Sequence, residues 1–434
     1  MEKTINSTTA EMELNTNKFW SRDFSLLIGG QFISIFGNMI LSFALPLYLL
    51  YISGSATLFG LVMGLSSIPL LIMSPIGGMI ADRFKKQRVM FWLDAGTTML
   101  IVGYIAASGL TTAVAPIIVI KLMALNAIQG VYMPTANACV PFLASGKNLV
   151  SANSAVTSIN TISGIGGMAI AGVLFARFGL MPILIVSAIC FAITAIMDLV
   201  IRVPFKPQDN SVGIVKIVKG DLSQAFGFIK TQPLVKRSMA LMFALSATIG
   251  SIFIIGAPVI ITQYLDMGMH FVGISQSIIL IGGLLGGIIT GLLGSKLKNS
   301  SITIMIVTTG ITIIPIGLAL LLNAPYFVTY ITMTASFLLA MAGIAALNIR
   351  ILSMIQGATP TALMGKVVSI VAMLPFLGQA IGQLIYGVAF EQLSQAPFVI
   401  IFGTTGIIAV IALYSRRGFE TCNNAKGTVL VAHG

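Results

Sequence analysis

The chain has 434 residues, of which 57% are hydrophobic and 8% charged, with a mean hydropathy of +1.01 and a formal net charge of +12. Soluble domains carry about 25% charged residues, so this composition excludes a water-soluble enzyme. The cations sit in short loops between apolar runs rather than on one basic face, which excludes a nucleic-acid surface and points to anionic lipid instead.

Apolar runs of about 20 residues suit helical spans and are too long for barrel strands. Residues 1–23 are polar and carry no apolar leader. Twelve spans are expected, at roughly 24–51, 57–81, 89–109, 115–139, 151–176, 181–201, 237–262, 272–294, 302–322, 326–350, 365–390 and 396–415. With the N-terminus inside, all Lys and Arg except Lys121, Arg177 and Arg350 fall on the cytoplasmic side. The expected division is a cytoplasmic segment 1–23, a six-helix bundle 24–201, a linker 202–236, a second bundle 237–415 and a tail 416–434. The linker carries Pro204, Pro207 and Asp209, and its stretch around Asp221–Lys230 reads as a short amphipathic helix. Cys139, Cys190 and Cys422 lack metal spacing, and His270 and His433 are too few and too distant for a metal site.

Between spans 2 and 3 stands GGMIADRFKKQRVM, Gly77 to Met90, a tight basic hairpin with one carboxylate, Asp82. Its glycines permit close approach of the helix ends. A few residues on, Asp94 lies inside span 3, where it can pair with the loop cations in an inner gate or form a structural salt bridge. Asp198 has Arg202 one turn later, the spacing of a simple i,i+4 pair. Lys121 lies in the outer half of span 4 and either faces a cavity or snorkels to the outer surface, and Arg350 at the inner end of span 10 is expected to snorkel. Amides recur at helical spacing: Gln31 and Asn38, Asn126 and Gln129, Asn153 and Asn160, Gln379 and Gln383. They either line a cavity or hydrogen-bond helices together. No nucleophile triad, phosphate loop or paired carboxylates are expected.

The chain also repeats itself. GMIADRFKK from Gly78 aligns with GLLGSKLKN from Gly291, PFLASGK from Pro141 with PTALMGK from Pro360, and Gly167 and Gly172 with Gly382 and Gly387. The nearly constant offset argues for duplication of a six-span unit.

The Gly77–Met90 hairpin resembles the loop signature of major facilitator transporters, G-x-L-A-D-R-x-G-R-K. It matches at Gly78, Ile80, Ala81, Asp82, Arg83 and Lys86, with Lys85 at the second glycine. Asp94 in WLDA, the segment VPFLASGKNLVSAN and the segment IQGATPTALMGKVVS resemble the branch that contains macrolide and other drug efflux proteins. Gly167-Met168 stands where drug antiporters have Gly-Pro, and Asn126 stands where they have an arginine before Gln129-Gly130. The resemblance implies an all-α fold of two pseudo-symmetric six-helix bundles, with the substrate site at the midplane between them. It implies a gating loop at Gly78, Asp82, Arg83, Lys86 and Asp94, with Asp82 near Gly365 and Lys366 and with uncharged Ser295 at the equivalent place in the second half. It makes Gln31, Asn38, Lys121, Asn126, Gln129, Asn160, Gln379 and Gln383 candidates for the cavity. An uncharged, amide-bearing cavity suits a large amphiphilic substrate. The expected activity is alternating-access export of drug-like compounds on the proton motive force, from a bacterial plasma membrane with both termini cytoplasmic. The expected partners are that substrate, a coupling proton and membrane lipid, without cofactor, metal or nucleic acid, in a chain that works as a monomer. Carriage of an endogenous solute, such as a siderophore, lysophospholipid or metabolite, and a non-transporting sensor or scaffold are the other readings.

Overall fold

In lipid every backbone polar group needs an internal partner, so an apolar chain of this kind folds into helices. The computed structural model describes residues 21–107, 114–143, 149–203, 214–293, 301–360 and 363–431. Lys147, Pro204, Pro207, Asp209, Ser295 and His433, and the segment before residue 21, lie outside them. Twelve helices of spanning length occur among the described residues: α1 Arg22–Ser53, α2 Ala56–Arg83, α3 Lys86–Ala106, α4 Ala115–Leu143, α5 Ser151–Phe178, α6 Leu180–Val200, α7 Pro233–Tyr264, α8 Met269–Leu292, α9 Ile302–Leu321, α10 Tyr326–Ala358, α11 Met364–Gln392 and α12 Pro397–Arg416. No strand occurs among these residues. At 1.5 Å per residue the 21 residues of α6 reach about 31 Å, the thickness of a bilayer core. The linker holds a further helix, Ile214–Thr231, whose buried Ala225 and Ile229 lie one turn apart.

α6 shows how such a helix is specified. Leu184, Ser187, Phe191, Thr194 and Asp198 share its buried face, while Ile185, Ile189, Ile193, Ile196 and Leu199 are exposed. The polar groups point into the protein and the isoleucines face lipid, the reverse of a soluble helix. Gly54 and Gly179 take φ of 63° and 73°, which lets α1 and α5 end and the next helix begin within one or two residues. α9 breaks before Ile314–Leu321, whose first turn carries Pro315. α7 contains two π turns, Ser246–Gly250 and Ile260–Tyr264.

The chain divides into two compact units, 1–48 with 69–210 and 49–68 with 211–434. The same helix pairings recur in each. In the first unit α3 packs on α6, Gly77 of α2 meets the backbone of Gly130 and Val131 in α4, and Gly167 of α5 meets Met39 and Phe36 in α1. In the second, α9 packs on α12, Gly282 and Gly286 of α8 lie against the backbone of Leu338 and Ala342 in α10, and Gly378 and Gly382 of α11 lie against Phe243 and Ala247 in α7. Adding six to each helix number converts one set into the other, which is the duplication at the level of packing.

Candidate functional site

The hairpin is tighter than its sequence suggests. α2 runs to Arg83 and α3 starts at Lys86, leaving only Phe84 and Lys85 between them. The Phe84 N–H donates to the Ile80 carbonyl at 3.0 Å, and the Arg88 and Val89 N–H groups donate to Lys85 O at 2.9 and 3.1 Å, so both helix ends close through the loop. Gly77 supplies the close approach to α4, whereas a side chain at Gly78 would meet no atom. Asp82 is exposed. Lys86 is buried, with its amine 4.7 Å above the Phe142 ring, so this cation belongs to the packing of α3 on α4. Arg83, Lys85 and Arg88 join Phe84, Val89 and Trp92 around an open groove of about 350 Å³.

Asp94 does not reach these cations. It is 1% exposed, on the buried face of α3, and its Oδ1 accepts from Ser34 Oγ of α1 at 3.4 Å. The Thr194 hydroxyl of α6 faces it too. Asp198 of α6, equally buried, stands beside it, with Tyr132 and Cys139 of α4 completing the surroundings. The expected Asp198–Arg202 pair is not formed. α6 ends at Val200, Ile201 is extended with ψ 136°, and the chain therefore leaves the helical path before Arg202 can return to its i−4 neighbour. The Arg202 N–H instead donates to Asp23 Oδ1 at 3.2 Å. Asp94 Oδ2, both oxygens of Asp198 and the Tyr132 hydroxyl have no hydrogen-bond partner. Tyr132 and Cys139 also belong to a buried apolar cluster with Phe24, Leu27, Leu143, Ile201 and Val203.

Lys121 does not snorkel outward. It is 5% exposed, and its amine lies 4.1 Å over the Tyr104 ring of α3 without a hydrogen-bond acceptor. Among the amides of this unit, Asn126 donates to Leu122 O of its own helix at 3.1 Å and Asn38 accepts from Ser42 of its own at 3.5 Å. Gln31 and Gln129 are buried and Asn160 is half-buried, and the Gln31 Oε1 has no partner. Hydrogen bonds between helices come from serines, Ser163 to Phe32 O and Ser187 to Gly37 O.

In the second unit Gln379 and Gln383 lie on α11, half-buried and buried respectively, with the Gln383 Oε1 unpartnered. Ser251, just after the first π turn of α7, donates to Gln379 O at 3.0 Å. The first half of α2 belongs here. Gly60 lies against Gly387 and the Gln383 carbonyl, and Gly64 against Ala380. The Glu391 carboxylate caps the start of α2, accepting from the Thr57 N–H at 2.7 Å and from the Ser55 hydroxyl. Lys366 at the other end of α11 donates to Gln224 of the linker helix at 2.7 Å. Tyr132, Glu391 and the π turns carry no local sequence pattern that would mark them.

Known proteins give this arrangement a context. The model of the Major Facilitator Superfamily matches residues 27–383. Macrolide efflux protein A of Streptococcus pyogenes is 23% identical over 308 residues, 69% of this chain and 73% of that protein. An uncharacterized MFS-type transporter, YfiS of Bacillus subtilis, is 24% identical over 215 residues, and the match spans about half of each chain, 48% of this one and 49% of that one. Among solved structures, the nucleoside transporter NupG superposes with a TM-score of 0.73 at 16% identity, covering 92% of this chain and 99% of that one. A bacterial homologue of the iron transporter ferroportin superposes with a TM-score of 0.69 at 16% identity, over 92% and 98%. These structures establish the fold, and with the family match over most of its length this multi-pass membrane protein belongs to the Major Facilitator Superfamily.

Proposed function

We propose that the protein exports drug-like or amphiphilic compounds by alternating access, driven by the proton motive force. The observation that carries this reading is the similarity to macrolide efflux protein A, which extends over 73% of that protein. The residues agree with it. Apart from Lys121, the candidate cavity residues Gln31, Asn38, Asn126, Gln129, Asn160, Gln379 and Gln383 are uncharged amides, a set that suits a large amphiphile. The sequence has no Walker-type phosphate loop, which leaves an ion gradient as the energy source. In this reading bundles 24–201 and 237–415 rock about a midplane site. Both termini face the cytoplasm of a bacterial plasma membrane, where the basic loops meet anionic lipid. Asp82 is the carboxylate of the gating loop, and the chain works as a monomer.

The test is accumulation of ethidium and of erythromycin in cells with and without the protein. Cells that make it should hold less of at least one compound, and a protonophore should erase the difference. Equal accumulation of every compound in a panel of dyes and antibiotics would refute export of drug-like molecules.

A further inference from the structure

Asp94 and Asp198 are each 1% exposed, on facing helices of the first unit. Neither makes an ion pair among the described residues, and three of their four carboxyl oxygens lack any hydrogen-bond partner. The groups that face them are the Ser34 hydroxyl from α1, the Tyr132 hydroxyl and Cys139 thiol from α4, and the Thr194 hydroxyl from α6. The cation at this end, Lys86 of α3, is engaged with the Phe142 ring. The Tyr132 hydroxyl is itself buried, unpartnered and directed into the cluster.

Burying an isolated anion costs several kcal/mol, and two adjacent anions in one dry site add mutual repulsion. Neutral hydroxyls do not offset that. A single proton does: it removes one of the two charges and with it their mutual repulsion. The equivalent α9–α12 interface of the second unit is closed by neutral groups, Thr303 and Ser415, whose hydroxyls are 3.3 Å apart. The acids are therefore not required by this type of helix pairing.

We propose that Asp94 and Asp198 form a proton-binding site, two buried carboxyls that hold one proton at neutral pH and carry the proton exchanged during transport. The transport clause rests on the proton-driven reading above; the binding clause does not. Asp198 lies two residues from the end of α6, about 3 Å along the helix axis. Ile201 and Val203, which follow it in the chain, are buried in an apolar cover with Phe24 and Leu143, and between them the Arg202 N–H donates to Asp23. Movement of this cover admits water, and the proton passes between water and the pair with no other bond made or broken.

The experiment is infrared spectroscopy on the purified full-length protein at neutral pH, with a parallel flux assay in proteoliposomes. Wild type should show the C=O band of a protonated carboxyl. The double variant Asp94→Asn with Asp198→Asn should lose it, and Asp266→Asn, an exposed carboxylate, should keep it. Absence of the band from wild type, or its survival in the double variant, overturns the site without requiring any single variant to be active. Loss of the band on adding sodium at fixed pH also overturns it and assigns the pair to a cation. In proteoliposomes the response of erythromycin flux to an imposed pH gradient, read as the ratio of flux with the gradient to flux without it, should fall to about one in Asp198→Asn. A wild-type response in that variant overturns the transport clause. If wild-type flux itself ignores the proton gradient while the band depends on the pair, the site stands and the energy source proposed above falls.

Discussion

Lys121 shows how far a single residue could be interpreted before its neighbours were known. Its position in an apolar run marked it as unusual, but spacing could not distinguish a cavity from the outer surface. In the fold its amine rests on the Tyr104 ring. A desolvated cation–π contact of this kind contributes about 2 kcal/mol, enough to hold the amine but not to replace an acceptor that a substrate could provide. Lys121→Met keeps an unbranched apolar stem of nearly the same length and removes the charge, and with it the contact of the amine on the ring. It should change the relative efflux of neutral and anionic compounds while membrane expression stays at the wild-type level. An unchanged profile across the panel would leave Lys121 as a packing residue. Asp198 was legible as an acid one turn before Arg202, the spacing of a local pair, and the structure buries it without that partner. The i,i+4 spacing holds only while the helix continues, and the extended Ile201 ends it. Asp94 was marked by position, but its partner arrives from α6, more than a hundred residues away, and no local pattern carries that.

The elements were easier to read than the residues. Span lengths followed from hydrophobic runs, and the repeat was visible in three aligned segments before the paired helix packing showed it again. The π turns of α7 were not legible, because a one-residue insertion in a helical ladder leaves the apolar pattern nearly unchanged. The aligned glycines Gly167 and Gly382 do occupy equivalent α5–α1 and α11–α7 contacts. Gly286 shows the same use of a small residue most sharply, since an added Cβ there would run into the backbone of Ala342. Backbone cannot move aside as a side chain can, so Gly286→Leu should cost at least about 1–3 kcal/mol and lower the yield of folded protein. Gly291→Leu, on the same helix but with no atom in reach, should be tolerated. Thermal melting of both variants in detergent checks this, and equal stability would contradict the α8–α10 contact.

At the scale of the whole molecule, composition alone excluded a soluble protein, and the hairpin at Gly77–Met90 with the duplication led to the family that the match over residues 27–383 establishes. What remained beyond composition was the energy source, because a carboxylate pair is assembled only when α3 and α6 come together. In the function proposed above, a proton gradient powers export by this chain alone. The most direct measurement places the purified protein in sealed proteoliposomes, imposes a pH gradient and follows erythromycin or ethidium. Accumulation against the compound's own gradient, collapsing when a protonophore is added, is the predicted result. Flux that is indifferent to the protonophore, or that follows an imposed sodium gradient instead, would contradict it.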